Sequence, residues 1–580
     1  MPPNRVFGPI LATLSFFPFT LYAQTPEQKA AADTARKEEI EQGTPIRSEL
    51  VRKTCSPCHA VDEKQRMTRI SYRRTTPEGW EQTLKRMVSL NNLQLEPAAA
   101  RDIVKYLSND LGLAPEEAKP AAFEVERRMI EYRYAADKDT EATCTKCHSM
   151  GRVISQRRTK TDWEMLVAMH RGYYPLSDFQ AFRRMETPRR PLVPPPPAPG
   201  VAPAPPPDDR HPMEKAIAHL SIAFPLKTPE WSAWSANMRS PKLAGKWALS
   251  GTQAGKGPVF GQVVIAAKPG TDDEFTTSVR FVFAKTGETV QETGKATVFT
   301  GFQWRGRTSK LREVMFVDPN MREISGRWFT GAYEEIGFEV KLQRIGNDPV
   351  VLGLDHYGLR AGPGAQQVTI HGANFPSGLD AGAIDFGRGV KVLRVVSSTP
   401  EAVKVDLEVA SEAPLGKRDV FVSGAALGGA AVVYDKIDAI KVRPLAGMAR
   451  VGGANFPKQL QQFEAIGYSN GPDGKPDTKD DLELGPVNVV WSVEEYTATY
   501  GDDDKEWVGT IDDSGLFTPN VDGPNPKRHN SANNIGDVWV VAAHVPASSD
   551  GKPQKAIRGR AHLLVTVPLY MRWDTVEAAQ

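Results

Sequence analysis

Cysteine is scarce in this chain. Only four occur in 580 residues, and two Cys-x-x-Cys-His motifs use them all: Cys55-Ser56-Pro57-Cys58-His59 and Cys144-Thr145-Lys146-Cys147-His148. No thiol remains for a disulfide framework, a separate zinc site or a cysteine nucleophile. An excess of one charge sign is also lacking. The 72 Lys and Arg nearly balance 70 Asp and Glu, leaving a formal net charge of +2. That gives no general attraction to nucleic acid or to an anionic membrane. Beyond the N-terminus no apolar run is long enough to cross a bilayer. The chain has no phosphate-binding loop and no His-Glu-x-x-His pair, so it offers no familiar nucleotide or zinc-peptidase chemistry.

What is present is redox chemistry. In Cys-x-x-Cys-His the two thiols add across the vinyl groups of a haem, and the adjacent imidazole becomes the proximal ligand to iron. One helical turn places both sulfurs and the histidine on one side of a flat macrocycle. The two motifs therefore predict two covalently bound haem c groups, held by Cys55, Cys58 and His59, and by Cys144, Cys147 and His148. Residues 1–23 carry Arg5, then an apolar stretch from Val6 to Tyr22, then Ala23. This pattern predicts a secretory signal peptide removed after about Ala23 and a soluble periplasmic mature protein.

The haem region is an internal duplication. Superposing Trp80 on Trp163 brings the two copies into one register, although Arg73-Arg74-Thr75 then matches Arg157-Arg158-Thr159 only with a one-residue slip. Seven residues beyond each tryptophan stand Met87 and His170, which we take as sixth iron ligands. Met67 competes for the first iron, and Met169, Met185, His211 and Met213 for the second. A thioether ligand raises the potential relative to imidazole, so the His59/Met87 haem is expected above the His148/His170 haem. Trp80 and Trp163 read as core residues. Arg73, Arg74, Arg157 and Arg158 fit either haem propionates or a solvated docking face. Each copy ends in an amphipathic helix, around residues 102–108 and 216–221, which is the class I cytochrome c plan. Pro191 to Pro207 predicts an extended polyproline insertion.

After residue 240 the period changes from helical to alternating. Strand-like runs between residues 243 and 345 predict an antiparallel β-barrel. Val368-Thr369-Ile370-His371-Gly372-Ala373-Asn374-Phe375-Pro376 resembles an immunoglobulin-like module of the IPT type. A third β unit, with Val489-Val490-Trp491-Ser492-Val493, reads as another immunoglobulin-like sandwich. The fold class is thus multidomain, α plus all-β. Its expected parts are a signal peptide (1–23), cytochrome c domains (24–118 and 119–240), a barrel (241–347) and two immunoglobulin-like β-sandwiches (348–444 and 445–580). An acidic loop from Asp473 to Asp481 is a weak calcium candidate, since it lacks the spacing of a full EF-hand.

This order of domains, with Phe224-Pro225-Leu226-Lys227-Thr228-Pro229-Glu230-Trp231 closing the second haem unit, resembles the large (alpha) subunit of quinohaemoprotein amine dehydrogenase. The resemblance implies a heterotrimer with a β-propeller subunit and a small subunit bearing cysteine tryptophylquinone. It implies oxidation of primary amines to aldehydes, with electrons leaving through a soluble cupredoxin or cytochrome c. This chain has no spare cysteine for that crosslink and would supply electron transfer only. The alternatives are a stand-alone dihaem carrier and a dihaem peroxidase.

Overall fold

The computed structural model describes residues 42–121, 134–182, 210–497, 503–546 and 554–568. The expected signal peptide, Met185 and the Pro191 to Pro207 stretch lie outside the described residues.

The first haem unit is built on α1 (Glu49–Cys55), α2 (Pro77–Asn91), α3 (Pro97–Asp110) and the short α4 (Pro115–Ala118). Ser48 caps α1 by accepting from the Val51 amide, with Glu49 in the first turn and Arg52 and Lys53 in the last, a charge order that complements the helix dipole. The second unit contains α5 (Lys138–Cys144), α6 (Lys160–Tyr173), α7 (Pro212–Ala223) and α8 (Pro229–Ala236). The haem-motif helices α1 and α5 each end on the first cysteine of their motif. The predicted C-terminal amphipathic helices are α3 and α7, which bury Ile103 and Leu107, and Ala216 and Leu220.

Between the units, β1 (Arg73–Thr75) pairs antiparallel with β2 (Gln156–Arg158). The register sets Arg73 against Arg158, Arg74 against Arg157, and Thr75 against Gln156. The ladder is a local two-fold axis relating the copies, centred on Arg74 and Arg157.

The barrel has eight strands: β3 (Gly245–Gln253), β4 (Gly257–Ala267), β5 (Glu274–Phe283), β6 (Thr289–Phe299), β7 (Gln303–Thr308), β8 (Arg312–Val317), β9 (Glu323–Thr330) and β10 (Ile336–Arg344). Each pairs antiparallel with the next, and β10 closes on β3. Closure removes both sheet edges. Strand β5 alternates buried and exposed positions along nearly its whole length, the period of two that a barrel wall requires. Its interior is filled by Trp247, Trp304, Trp328 and their apolar neighbours.

The first haem unit is anchored to the outside of this barrel. Glu78 of α2 pairs with Arg305 and Arg312, and Lys105 of α3 bonds Asp273 and Glu274 at 2.9 and 2.7 Å. Trp234 packs edge-on against Phe302 at 4.8 Å. Gly301 adopts φ 73°, and a Cβ there would sit 2.2 Å from the Leu113 carbonyl. Only glycine permits that approach.

Beyond the barrel, two four-stranded sheets enclose one core, including Val368, Val405, Val420 and Val433. The last unit has three sheets, of three, four and three strands, around Phe463, Phe517, Val540 and Leu563. In the acidic loop, the carboxylates of Asp473, Asp480 and Asp481 accept from the loop's own amides and from Thr478. Among the described residues no group of three or more His, Cys, Asp or Glu is arranged to hold a metal ion.

Candidate haem centres at the junction of the two repeats

Both motifs form the same local structure. The last turn of α1 runs into the first motif, where the His59 amide donates to the Cys55 carbonyl at 2.9 Å. Cys55 and Cys144 are half-buried, while Cys58 and Cys147 are exposed. Burial, helped by the neighbouring Cys58, pushes the Cys55 thiol up to about 11, and burial pushes Cys144 up to about 12.

Each motif histidine is oriented by a backbone carbonyl. His59 Nδ1 lies 2.9 Å from Thr68 O, and His148 Nδ1 lies 2.9 Å from Ser149 O. A carbonyl oxygen only accepts, so Nδ1 carries the proton and Nε2 is left as the ligating atom. His170 Nδ1 is held the same way, 2.8 Å from Leu166 O. Burial lowers the pKa of both His59 and His170, with the Arg158 and Arg86 charges adding to the effect at His170. Neutral imidazole, the form that binds metal, is favoured at both.

The structure brings His148 and His170 together. Their ring centroids are 6.4 Å apart. Two metal–imidazole bonds of about 2.0 Å, each extended by a ring radius of roughly 1.1 Å, span about 6.2 Å. The separation fits two imidazoles that would hold one iron between them. Tyr174 and Phe182 pack beside His170, with ring centroids 6.1 and 5.9 Å from its own.

Helix register relates this site to the first one. Thr76 caps α2 through the Gly79 amide, and Thr159 caps α6 through the Asp162 amide. Trp80 and Trp163 follow at the same distance from their caps; both are 2% exposed. Their indole nitrogens donate to Leu111 O and Phe224 O. Met87 and His170 are then equivalent positions of equivalent helices. Met87 is half-buried, whereas its competitor Met67 is fully buried among Ile46, Val51, Ile70 and Trp80. His211 caps α7 by accepting from the Met213 amide at 3.1 Å, and Met213 packs with Phe182 and Ala216.

Two expectations are corrected here. The one-residue slip disappears, because the equivalent threonines are the caps Thr76 and Thr159, and Arg74 then matches Arg157 directly. The arginines also form no solvated face, since Arg73, Arg74, Arg157 and Arg158 are 1–7% exposed. Arg74 makes a two-pronged bond to Glu117, at 2.7 and 2.9 Å, and Arg157 reaches the same carboxylate at 3.1 Å. Thr228 donates to it as well, at 2.7 Å. One glutamate thus clamps the symmetry-related arginines of both repeats, and these cations hold its pKa down to about 2 against its burial. The segment 224–231 seals this junction. Leu226 O accepts from Arg74 at 2.7 Å, while the Trp231 and Phe224 rings lie beneath Arg74 and Arg157 at 4.4 and 5.0 Å. Arg158 pairs instead with Asp162, which also holds Arg69 at 3.0 Å.

Sequence reasoning missed Glu117, Asp162, Thr83 and Arg86. Glu117 carries no local signal. The other three sit at matched positions of α2 and α6 where the residues differ (Gly79 against Asp162, Thr83 against Leu166, Arg86 against Met169), a difference readable from the Trp80/Trp163 register.

Comparison with known proteins agrees with this architecture. A family model described as quinohemoprotein amine dehydrogenase A, alpha subunit, haem binding, matches residues 46–187. Models of alpha-subunit domains II, III and IV of the same enzyme match residues 240–345, 349–435 and 440–578. No curated protein matches the chain. Among solved structures, a redesigned β-barrel is similar at 16% identity and a TM-score of 0.15, covering 18% of this chain and 92% of its own. The titin domains z1z2 in complex with telethonin are similar at 13% identity and a TM-score of 0.13, covering 39% of this chain and 100% of their own. Four family models, matched in domain order between residues 46 and 578, place the chain in one family: it belongs to the quinohemoprotein amine dehydrogenase alpha subunits.

Proposed function

We propose that this chain is the dihaem electron-relay subunit of a periplasmic amine dehydrogenase, with haem c bound covalently at both motifs. The observation that carries the reading is the His148/His170 pair, with centroids 6.4 Å apart and both Nδ1 atoms fixed by backbone carbonyls. A haem so held supplies a reversible one-electron iron couple. The chain's own residues fix the ligands and restrict exchange at iron, which suits outer-sphere transfer and opposes peroxide chemistry. The α2/α6 register extends the reading to His59 and Met87.

In this scheme a small partner subunit carries the cysteine tryptophylquinone, beside a β-propeller subunit. A primary amine and water would give an aldehyde, ammonia and two protons, and the residues holding the two haems would supply the path along which the two electrons released leave singly. A soluble cupredoxin or cytochrome c takes them onward. The test is an anaerobic titration of the native complex with a simple primary amine. Haem reduction in step with aldehyde release supports the reading. Haems that dithionite reduces but amine does not would overturn it.

A further inference from the structure

The junction holds more buried positive charge than its carboxylates neutralise. Arg73 is 6% exposed, and its guanidinium bonds only neutral groups: Thr83 Oγ1 at 2.6 Å and Gly79 O at 3.3 Å. Arg86 reaches the same hydroxyl at 3.1 Å. The Nε atoms of both arginines are buried without a hydrogen-bond partner. Thr83 itself donates to Gly79 O at 2.8 Å, so one hydroxyl holds two guanidinium groups side by side. Asp162 is already engaged by Arg158 and Arg69.

In the second repeat the position of Gly79 is taken by Asp162, which supplies a carboxylate. The first repeat has no room for one there, since a Cβ on Gly79 would lie 2.3 Å from Thr75 Oγ1. Buried cations without a counter-ion are costly, and two inward-facing N–H donors are left unmet. Such a pair is shaped for a carboxylate.

We propose that Arg73 and Arg86, bridged by Thr83, form an anion site that receives a propionate of the haem held by His148 and His170. The assignment to this haem follows from position. Arg73 stands opposite Arg158 in the β1–β2 ladder, at the entry to α6, the helix that carries His170. Tyr173, on the same turn of α6, bonds Asn91 of α2 at 3.0 Å. The first repeat, through β1 and α2, therefore supplies the counter-charge for the haem of the second. The inference rests on the dihaem reading above.

The test is spectropotentiometry of the full-length holo-chain, after haem content by pyridine haemochrome has established two haems; a content below two would count against the dihaem reading itself. The redox wave that rises in His170→Met marks the second haem. Removing a cation beside a propionate favours the oxidised iron, so Arg73→Gln and Arg86→Gln should each lower that wave and leave the other in place. Arg73→Lys and Arg86→Lys, which keep the charge, should restore most of the shift. A second-haem wave that stays put in both Gln variants, or a shift confined to the first haem, would overturn the proposal.

Discussion

The two repeats share a helix register and differ in what they place on it. Both cap with threonine, both bury a tryptophan in the next turn, and both offer a candidate ligand eleven residues beyond the cap, Met87 after Thr76 and His170 after Thr159. Between those shared points, Gly79, Thr83 and Arg86 of one copy stand opposite Asp162, Leu166 and Met169 of the other. The helical scaffold was kept, while the residue at the candidate ligand position and the buried charge diverged. Two copies of one domain can then hold haems of different potential and share a single charge network at their contact.

The strongest way to break the comparison is to remove one site and ask whether the other survives. Cys144→Ser with Cys147→Ser should halve the covalent haem content, and Cys55→Ser with Cys58→Ser should do the same, as read by haem-stained gels and intact mass. Loss of both haems from either double variant would show that the repeats do not hold their haems independently.

Next in size is the clamp. Glu117→Gln leaves Arg74 and Arg157 buried without their shared carboxylate, a change that costs about 3–5 kcal/mol and should appear as a lower denaturation midpoint. With its folded pKa at about 2 against an ordinary 4.5, Glu117 binds fewer protons folded than unfolded. Its stabilisation is complete above about pH 4.5 and is lost as pH falls toward 2. The variant should therefore flatten the acid limb of the wild-type stability profile.

The barrel provides the contrasting case of a carboxylate buried without a cation. Glu313 is 3% exposed, accepts from Trp304 Nε1 at 2.7 Å, and is pushed up to about 7 by burial. Here the folded state binds more protons than the unfolded one, so stability falls as pH rises from about 4.5 to 7 and is level above. Glu313→Gln should stabilise by at most about 3 kcal/mol above pH 7, at 1.36 kcal/mol per pKa unit, with no gain below pH 4.5. A gain independent of pH would contradict the assignment.

Much of this was legible in the sequence. The motifs stated their chemistry through residue type and spacing, and the barrel strands alternated visibly, as in β5. The tryptophans gave the repeat register. The slip arose because the string Arg-Arg-Thr recurs in both copies, whereas the physically equivalent threonines are the helix caps Thr76 and Thr159, the first of them one residue beyond its string. Glu117 was invisible because its partners lie 43 residues away in Arg74 and 111 away in Thr228. A buried carboxylate has no local pattern; only the fold shows which cations it meets.

The central claim is that equivalent positions of α2 and α6 hold the two irons by different sixth ligands. Near-infrared magnetic circular dichroism of the fully oxidised holo-chain tests it directly, because thioether and imidazole ligation give distinct charge-transfer bands. The account predicts one methionine–histidine haem and one bis-histidine haem, with Met87→Ala abolishing the thioether band alone and His170→Ala the bis-imidazole band alone. A thioether band that survives Met87→Ala would contradict it.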